Sequence, residues 1–345
     1  MRRLAALGAL VFVSGCASLE YYAQAVGGHL EVIRLAVPIE ERLREADTPE
    51  PLRAKLAKVL AIREFASREL ALPDNGSYRR YADIGRPFVV WNVFAAPEFS
   101  VKPVESCFLF AGCVSYRGFY SEEAAQRHAA ALAGKGYDVY VGGVAAYSTL
   151  GWFSDPVLST FIHYPESEVA RIVFHELAHQ VVYVKGDTVF NESFAATVED
   201  EGVRRWLERE GTSAQRAAYE ASGRRRAEFV VLMTKSRAEL AAFYDRPAEP
   251  EEKRAGKRRL FSAMQDEYRS LKASWGGFAG YDALFARGAN NALLASVASY
   301  SELVPAFRGM LAQKDGDLPA FYAAVRELAK LDKSERDARL AVPGR

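Results

Sequence analysis

Two histidines four residues apart constrain this 345-residue chain more than any other feature. They lie in the stretch from Glu168 to Gln180, which reads EVARIVFHELAHQ. Ile172, Val173, Leu177 and Val181 recur there at helical spacing, so the segment predicts a helix that projects His175 and His179 from one face, one turn apart. Two ring nitrogens at that spacing can reach one metal ion at roughly 2.0–2.1 Å. Glu176 falls between them, close enough to take a proton from water at the metal rather than bind the metal itself. Such a site needs a third protein ligand. No histidine follows His179, so the candidates downstream are acids, and a third histidine six residues on is excluded.

Lys185-Gly186-Asp187 breaks the chain, and Asn191 then reads as the N-cap of a second helix. That places Glu192 in the first helical turn, where exposed backbone N–H groups favour a carboxylate. Glu199 follows seven residues later, two turns along the same face. The reading assigns Glu192 as third ligand. Asn191 and Glu199 support the ligands from behind, with Glu199 orienting a ring N–H of His175.

These residues carry a resemblance. His175-Glu-Leu-Ala-His179 followed by Asn191-Glu192-Ser-Phe-Ala-Ala-Thr-Val-Glu199 is similar to the gluzincin metallopeptidases, in which a helix beginning N-E-x-x-A supplies the glutamate. The 12 residues between His179 and Glu192 make a shorter interval than in thermolysin-like enzymes. More closely, nearly the whole chain resembles a family of bacterial lipoproteins named as aminopeptidases. The matching stretches are Gly112–Gly118, Gly142–Pro156, and Asn290-Asn291-Ala292 with Tyr300. The resemblance implies Zn2+ at His175, His179 and Glu192, a peptide substrate, and Glu176 as general base. Zinc aminopeptidases carry a G-A-M-E-N segment that pairs with substrate as an edge strand, and Val141–Tyr147 occupies the comparable place. The amine-binding glutamate of that segment is replaced here by Gly-Gly-Val-Ala-Ala. Cleavage at a free N-terminus and cleavage within a chain therefore both stay open, as does an inactive zinc-stabilised scaffold or chaperone, against which the intact Glu176 argues. Tyr147 and Tyr300 are candidate donors to a developing oxyanion. His163 reads as a capping or packing histidine or one with a transition-state role. Tyr116-Arg117 reads as a cleft-closing pair or an ordinary salt-bridge partner.

The N-terminus adds a location. Arg2-Arg3, an apolar Leu4–Val13 and then Ser14-Gly15-Cys16 look like a lipoprotein signal at residues 1–15, with Cys16 acylated as the new N-terminus. The expected setting is the bacterial envelope, anchored in a membrane by lipid and facing the periplasm; Ala17 points to the outer membrane. Export leaves Cys107 and Cys113 as a structural disulfide. With 45 Lys plus Arg against 44 Asp plus Glu, the net charge is +1, which gives no bulk attraction for nucleic acid.

The remaining pattern predicts an α+β fold, predominantly α-helical, and the resemblance implies a gluzincin-like arrangement with a small β-sheet next to the zinc-binding helices. One catalytic body spans 16–333. It comprises N-terminal helices at 19–72, a sheet-containing part at 87–160, zinc-site helices at 166–210 and a helical part at 211–333, before a frayed tail at 334–345. Thr48 reads as the cap of the helix after the Thr48–Pro51 break. Strands are expected at Pro87–Phe94 and Tyr137–Val141, and a helix capped by Ser121 that ends at Gly134. The Glu251–Arg259 stretch reads as a solvated charged face.

Overall fold

The computed structural model describes residues 21–108 and 112–341, apart from the side chains of residues 299–301. The expected signal segment and Cys16 lie outside the described residues. Helix α1 occupies residues 21–35, then β1 Val37–Pro38 and α2 Ile39–Arg44 lead into α3 Glu50–Glu69. Leu56, Val59, Ile62, Phe65 and Ala66 recur along one face of α3 and are buried there. Pro49, not Thr48, is the N-cap of α3. The Thr48 hydroxyl donates instead to the Arg42 carbonyl at 2.6 Å, closing the loop before the helix.

Strands β2 Arg80–Ala82, β3 Val90–Ala96, β4 Ser106–Phe108, β5 Gly112–Val114 and β6 Arg117–Phe119 follow, then α4 Glu122–Ala133, β7 Asp138–Val144 and β8 Val157–Leu158. The order β6-β3-β7 makes an antiparallel sheet with β7 at its edge. The buried run on β3 explains its central place: Trp91 and Val93, with Phe119 of β6, face α4, while Phe94 packs with Ala292 on the other side. Ser121 caps α4 by accepting from the Ala124 N–H, and Gly134 ends it. A second sheet has the order β1-β2-β8. Cys107 and Cys113 are paired partners across the β4–β5 hairpin and are joined by a disulfide.

From residue 166 onward the described chain is helical: α5 Glu166–Ala178, α6 Thr188–Glu210, α7 Ser213–Tyr244, α8 Pro250–Ser274, α9 Asp282–Ala286, α10 Asn291–Ser301, α11 Val304–Ala312, α12 Leu318–Ala329 and α13 Lys333–Leu340. The fold is thus α+β and predominantly helical, as the sequence implied. The largest apolar cluster holds α3, α5, α6, α11 and α12 together, and a second one joins α7, α8 and α10. Helix α10 bridges them and meets the sheet. Asn290 caps it and also donates to the Val139 carbonyl of β7 at 2.9 Å. Fully buried Asn291 receives the Tyr244 hydroxyl at 3.0 Å and donates to the carbonyls of Pro97 and Glu98.

Two expectations change. Most of the supposed tail, 334–345, is α13, with Leu340 buried and Arg336 seated against Asp187 at 2.8 Å; buried charge pairing outweighs the polar composition that suggested fraying. The Glu251–Arg259 stretch is also more than a solvated face. Lys257 pairs with Asp138 at 2.7 Å and Arg254 with Glu98 at 2.7 Å, which ties α8 to the ends of β7 and β3. No described helix is long and apolar enough to cross a membrane.

Candidate metal centre

Helix α5 packs along α6, and the contact is close because Gly202 has no side chain. A Cβ there would stand 2.7 Å from the Phe174 ring. Trp206 of α6 donates its indole N–H to Glu166 at 3.0 Å at the start of α5. The last turn of α5 presents His175, and His179 follows as the C-cap residue, still with helical torsions. Their rings stand 4.8 Å apart at 85°, with the two Nε2 atoms 3.2 Å apart.

Helix α6 begins one turn earlier than the sequence suggested. Asp187, not Asn191, is its N-cap, accepting from the Phe190 N–H. Asn191 is already inside the helix. Its amide instead staples the preceding loop, accepting from Val184 N–H at 2.7 Å and donating to Val184 O at 2.8 Å. It therefore braces the ligand-bearing turn without touching a ligand histidine. Glu192 consequently sits in the second helical turn, beyond the reach of the end-of-helix N–H groups that the first-turn argument invoked. Histidines hold it instead: Oε2 lies 3.2 Å from His175 Nε2 and 3.7 Å from His179 Nε2.

His175, His179 and Glu192 could hold a metal ion, since one ligand atom from each lies within 4.8 Å of the others. The chemistry of the donors fits that role. Glu199, two turns along α6 from Glu192, approaches His175 Nδ1 to 2.8 Å, so this nitrogen donates its proton to the carboxylate. Nε2 is then left with a lone pair that faces the Glu192 carboxylate. Such an arrangement calls for a cation or a proton between them. The observed spacings of 3.2, 3.2 and 3.7 Å also match ligand–ligand edges of about 3.3 Å, the value for tetrahedral bonds of roughly 2.0–2.1 Å. His179 Nδ1 is buried without a hydrogen-bond partner.

The electrostatics follow from this packing. Burial opposes ionisation of Glu192, yet His179 and His175 overcome it and hold its pKa at about 2. Glu199 is likewise held at about 2 against burial, chiefly by Arg171 and then by His175 and Arg226. Arg171 Nη1 lies 3.2 Å from both Glu199 oxygens, and Arg226 of α7 lies 3.6 Å from Oε1. At His175 burial opposes protonation, but the bonds to Glu192 and Glu199 prevail and raise its pKa well above the ordinary value. Burial raises Glu176, with Glu192 and Glu199 adding to the shift and the two histidines opposing it.

The centre opens on a cleft of about 1980 Å³. Glu176 lines it with the ligands, and the opposite wall is the sheet, presenting Asn92, Phe94, Tyr140 and Gly142. Along β7 the carbonyls of Val139 and Val141 face outward to Asn290 and Arg287. Strand alternation therefore turns the Gly143 backbone to the same free edge. The glycine itself has a packing cause: a Cβ at 143 would meet the Phe88 ring at 2.2 Å.

The tyrosines stand as follows. Tyr147 lines the cleft, but its hydroxyl lies 2.7 Å from His29 Nδ1. Tyr300 lies on α10, its side chain outside the described residues. Tyr116 and Tyr183 line the cleft beside the ligands. Burial raises both phenols, and the Glu192 charge raises each further. Tyr183 lies in the loop after α5, where helical spacing gives no signal; Tyr116 drew notice only beside Arg117. That arginine stacks on Tyr21, 4.0 Å from the ring centroid. His163 is exposed and lines no part of the cleft. Arg171, four residues before His175, and Arg226 were missed. Only the first had a periodic signal.

No curated protein and no solved structure matches the chain. A family described as "Putative aminopeptidase" matches residues 20–340, and the chain belongs to that family.

Proposed function

We propose that this chain is a gluzincin-like peptidase that hydrolyses peptide bonds with a zinc ion held by His175, His179 and Glu192. One observation carries the reading: three ligand atoms of this set converge within 4.8 Å in the wall of a cleft that Glu176 also lines. When bound, zinc acidifies water and polarises a carbonyl. Glu176 accepts the proton of the attacking water at its carboxylate and returns it to the leaving amine. Burial raises its pKa, which favours a group that must both take and give a proton. Glu199 holds the Nδ1 proton of His175 and so keeps Nε2 free as a ligand.

Tyr116 and Tyr183 stay protonated beside Glu192 and donate to the oxyanion. Tyr147, which also lines the cleft, and Tyr300 are further candidates for that role. The free edge of β7 at Gly143 accepts the substrate backbone as an added strand.

The family supports release of N-terminal residues as the activity. A second reading, cleavage inside a chain, has its own support. Among the described residues, the sheet residues that line the cleft, Asn92, Tyr140, Gly142, Gly143, Val144 and Ala145, include no carboxylate at the place of the amine-binding glutamate, although Glu220 and Glu302 line the cleft elsewhere. Matched aminoacyl and N-blocked peptides separate the two.

The lipobox-like Val13-Ser14-Gly15-Cys16 supports acylation at Cys16 and attachment to the envelope membrane. The Cys107–Cys113 disulfide supports an exported, periplasm-facing body, and Ala17 supports the outer membrane. Metal analysis should find about one zinc per chain, as three protein ligands imply. Glu176→Gln should retain the metal and abolish hydrolysis; unchanged turnover in that variant would sink the mechanism.

A further inference from the structure

Helix α1 has an exposed face that a soluble surface helix rarely shows. From Tyr21 to Leu30 the chain reads YYAQAVGGHL, without one charged residue, and the first charge after Tyr21 is Glu31. Ala23, Val26, Gly27 and Leu30 are exposed on it, Val26 at 58% and Leu30 at 55%. The inner side is committed: Gln24 accepts from the Tyr120 N–H and Val32 is fully buried. Phe153 packs beside this face, its ring 4.7 Å from that of His29, yet stays 51% exposed. Its neighbour Trp152 is 81% exposed, the most exposed large apolar side chain among the described residues. Single exposed apolar residues are ordinary, but an uncharged helix face beside two exposed aromatic residues, bounded by Glu31 and Arg34, marks a contact surface.

The chain length before α1 says what covers it. Cys16 precedes Tyr21 by five residue steps, which span at most about 18 Å even fully extended. A lipid on Cys16 thus keeps the start of α1 close to the bilayer surface. We infer that Val26, Leu30, Trp152 and Phe153 form a membrane-docking face. It seats in the headgroup region of the bilayer that holds the anchor and orients the body on it. Tryptophan suits that depth because its ring is apolar and its N–H finds polar partners there. Tyr21, Tyr22 and Leu150 line the cleft from the same side, so docking sets the cleft rim at the bilayer surface, within reach of membrane-associated polypeptides. The inference rests on the lipid-anchor reading above.

The test uses the full acylated chain in phosphatidylethanolamine–phosphatidylglycerol vesicles with bromine on the acyl chains near the headgroups. Flotation with the vesicles reads the anchor; quenching of tryptophan emission reads the docking. The expected result is flotation together with loss of on the order of one quarter of the emission, Trp152 being one of four tryptophans. Trp152→Phe should abolish this loss and Val26→Glu/Leu30→Glu should weaken it. The glutamates sit at exposed positions, so the melting temperature should hold. A chain that floats but is quenched no more than Trp152→Phe overturns the docking and leaves the anchor standing. A chain that does not float overturns the anchor and the docking with it. A detergent-soluble dimer that the glutamate pair dissociates assigns the face to a second copy and overturns the membrane.

Discussion

Replacing Glu199 with glutamine keeps the shape of the side chain and removes its charge, and the surroundings give the amide no good orientation. Oε1 faces Arg171 at 3.2 Å and Arg226 at 3.6 Å, so the amide carbonyl prefers that side. The NH2 group then points at His175 Nδ1, the atom Oε2 now approaches to 2.8 Å. Nδ1 would have to accept, which moves the ring proton to Nε2, the nitrogen that faces Glu192 and His179. The flipped amide keeps the correct tautomer but sets NH2 against two guanidinium groups. Loss of such a supporting partner lowers metal affinity 10–100-fold, about 1.4–2.7 kcal/mol. Two poor orientations place Glu199→Gln toward the upper end. Arg171 retains Glu168 at 2.7 Å and Arg226 retains Asp200 at 3.4 Å, so the fold should persist, which melting of the metal-free variant checks. Competition with a chromophoric zinc chelator at neutral pH measures the affinity. An affinity equal to that of the parent would refute the claim that Glu199 sets the tautomer of His175.

Arg336→Met should destabilise the protein by about 1–3 kcal/mol in denaturant titration, because the buried Asp187 carboxylate loses its partner at 2.8 Å and keeps only the Phe190 N–H and Lys333 at 3.8 Å. No loss of stability would return α13 to the status of a dispensable tail. Gly143→Ala should cost about 1–3 kcal/mol through the clash with Phe88. Adding Phe88→Leu should recover part of it, and a double-mutant cycle without coupling would contradict the packing cause. In the metal-free protein Glu192 and Glu199, at about 2 when folded against an ordinary value near 4.5, stabilise above that value. Their contribution is lost as pH falls toward 2. The raised pKa of His175 contributes fully below about 6.5 and is lost as pH rises through the folded value. Melting after chelation should therefore peak between about 4.5 and 6.5. A curve that keeps rising through neutral pH would contradict the protonated His175.

The candidate ligand set was legible because helical spacing is a local property: steps of four from His175 to His179 and of seven from Glu192 to Glu199 fix faces whatever the rest of the chain does. The cap was not legible. Asn191 and Asp187 are both good N-caps by residue type. Asp187 won because Arg336, 149 residues away, neutralises it, and because the Asn191 amide found the Val184 backbone. The same distant pair concealed α13, whose composition alone reads as solvated. Strands β3 and β7 were visible from their β-branched and aromatic runs. The edge position of β7 depends on pairing order, and that has no local signature. Tyr116 reaches the ligands only through a strand turn, so nothing in its neighbours announced it.

All three ligand side chains and Glu199 stand on α5 and α6, and both helices are rooted in one apolar cluster through Phe174, Leu177, Phe194 and Val198. A metal ion bound there would therefore meet a set that the core has already assembled. That differs from small zinc domains, whose folding free energy is the binding free energy of the ion. The opposite wall of the cleft has its own supports, α4 beneath the sheet and Asn291 at the junction with α7 and α10. The groups that could meet a substrate are divided between the two walls: Glu176 and Tyr183 on the ligand side, Tyr116 and the Gly143 edge on the sheet side. Only a chain lying in the cleft touches both. On the proposed reading, the position of the substrate backbone, rather than rearrangement of the ligands, would decide which peptide bond comes to Glu176.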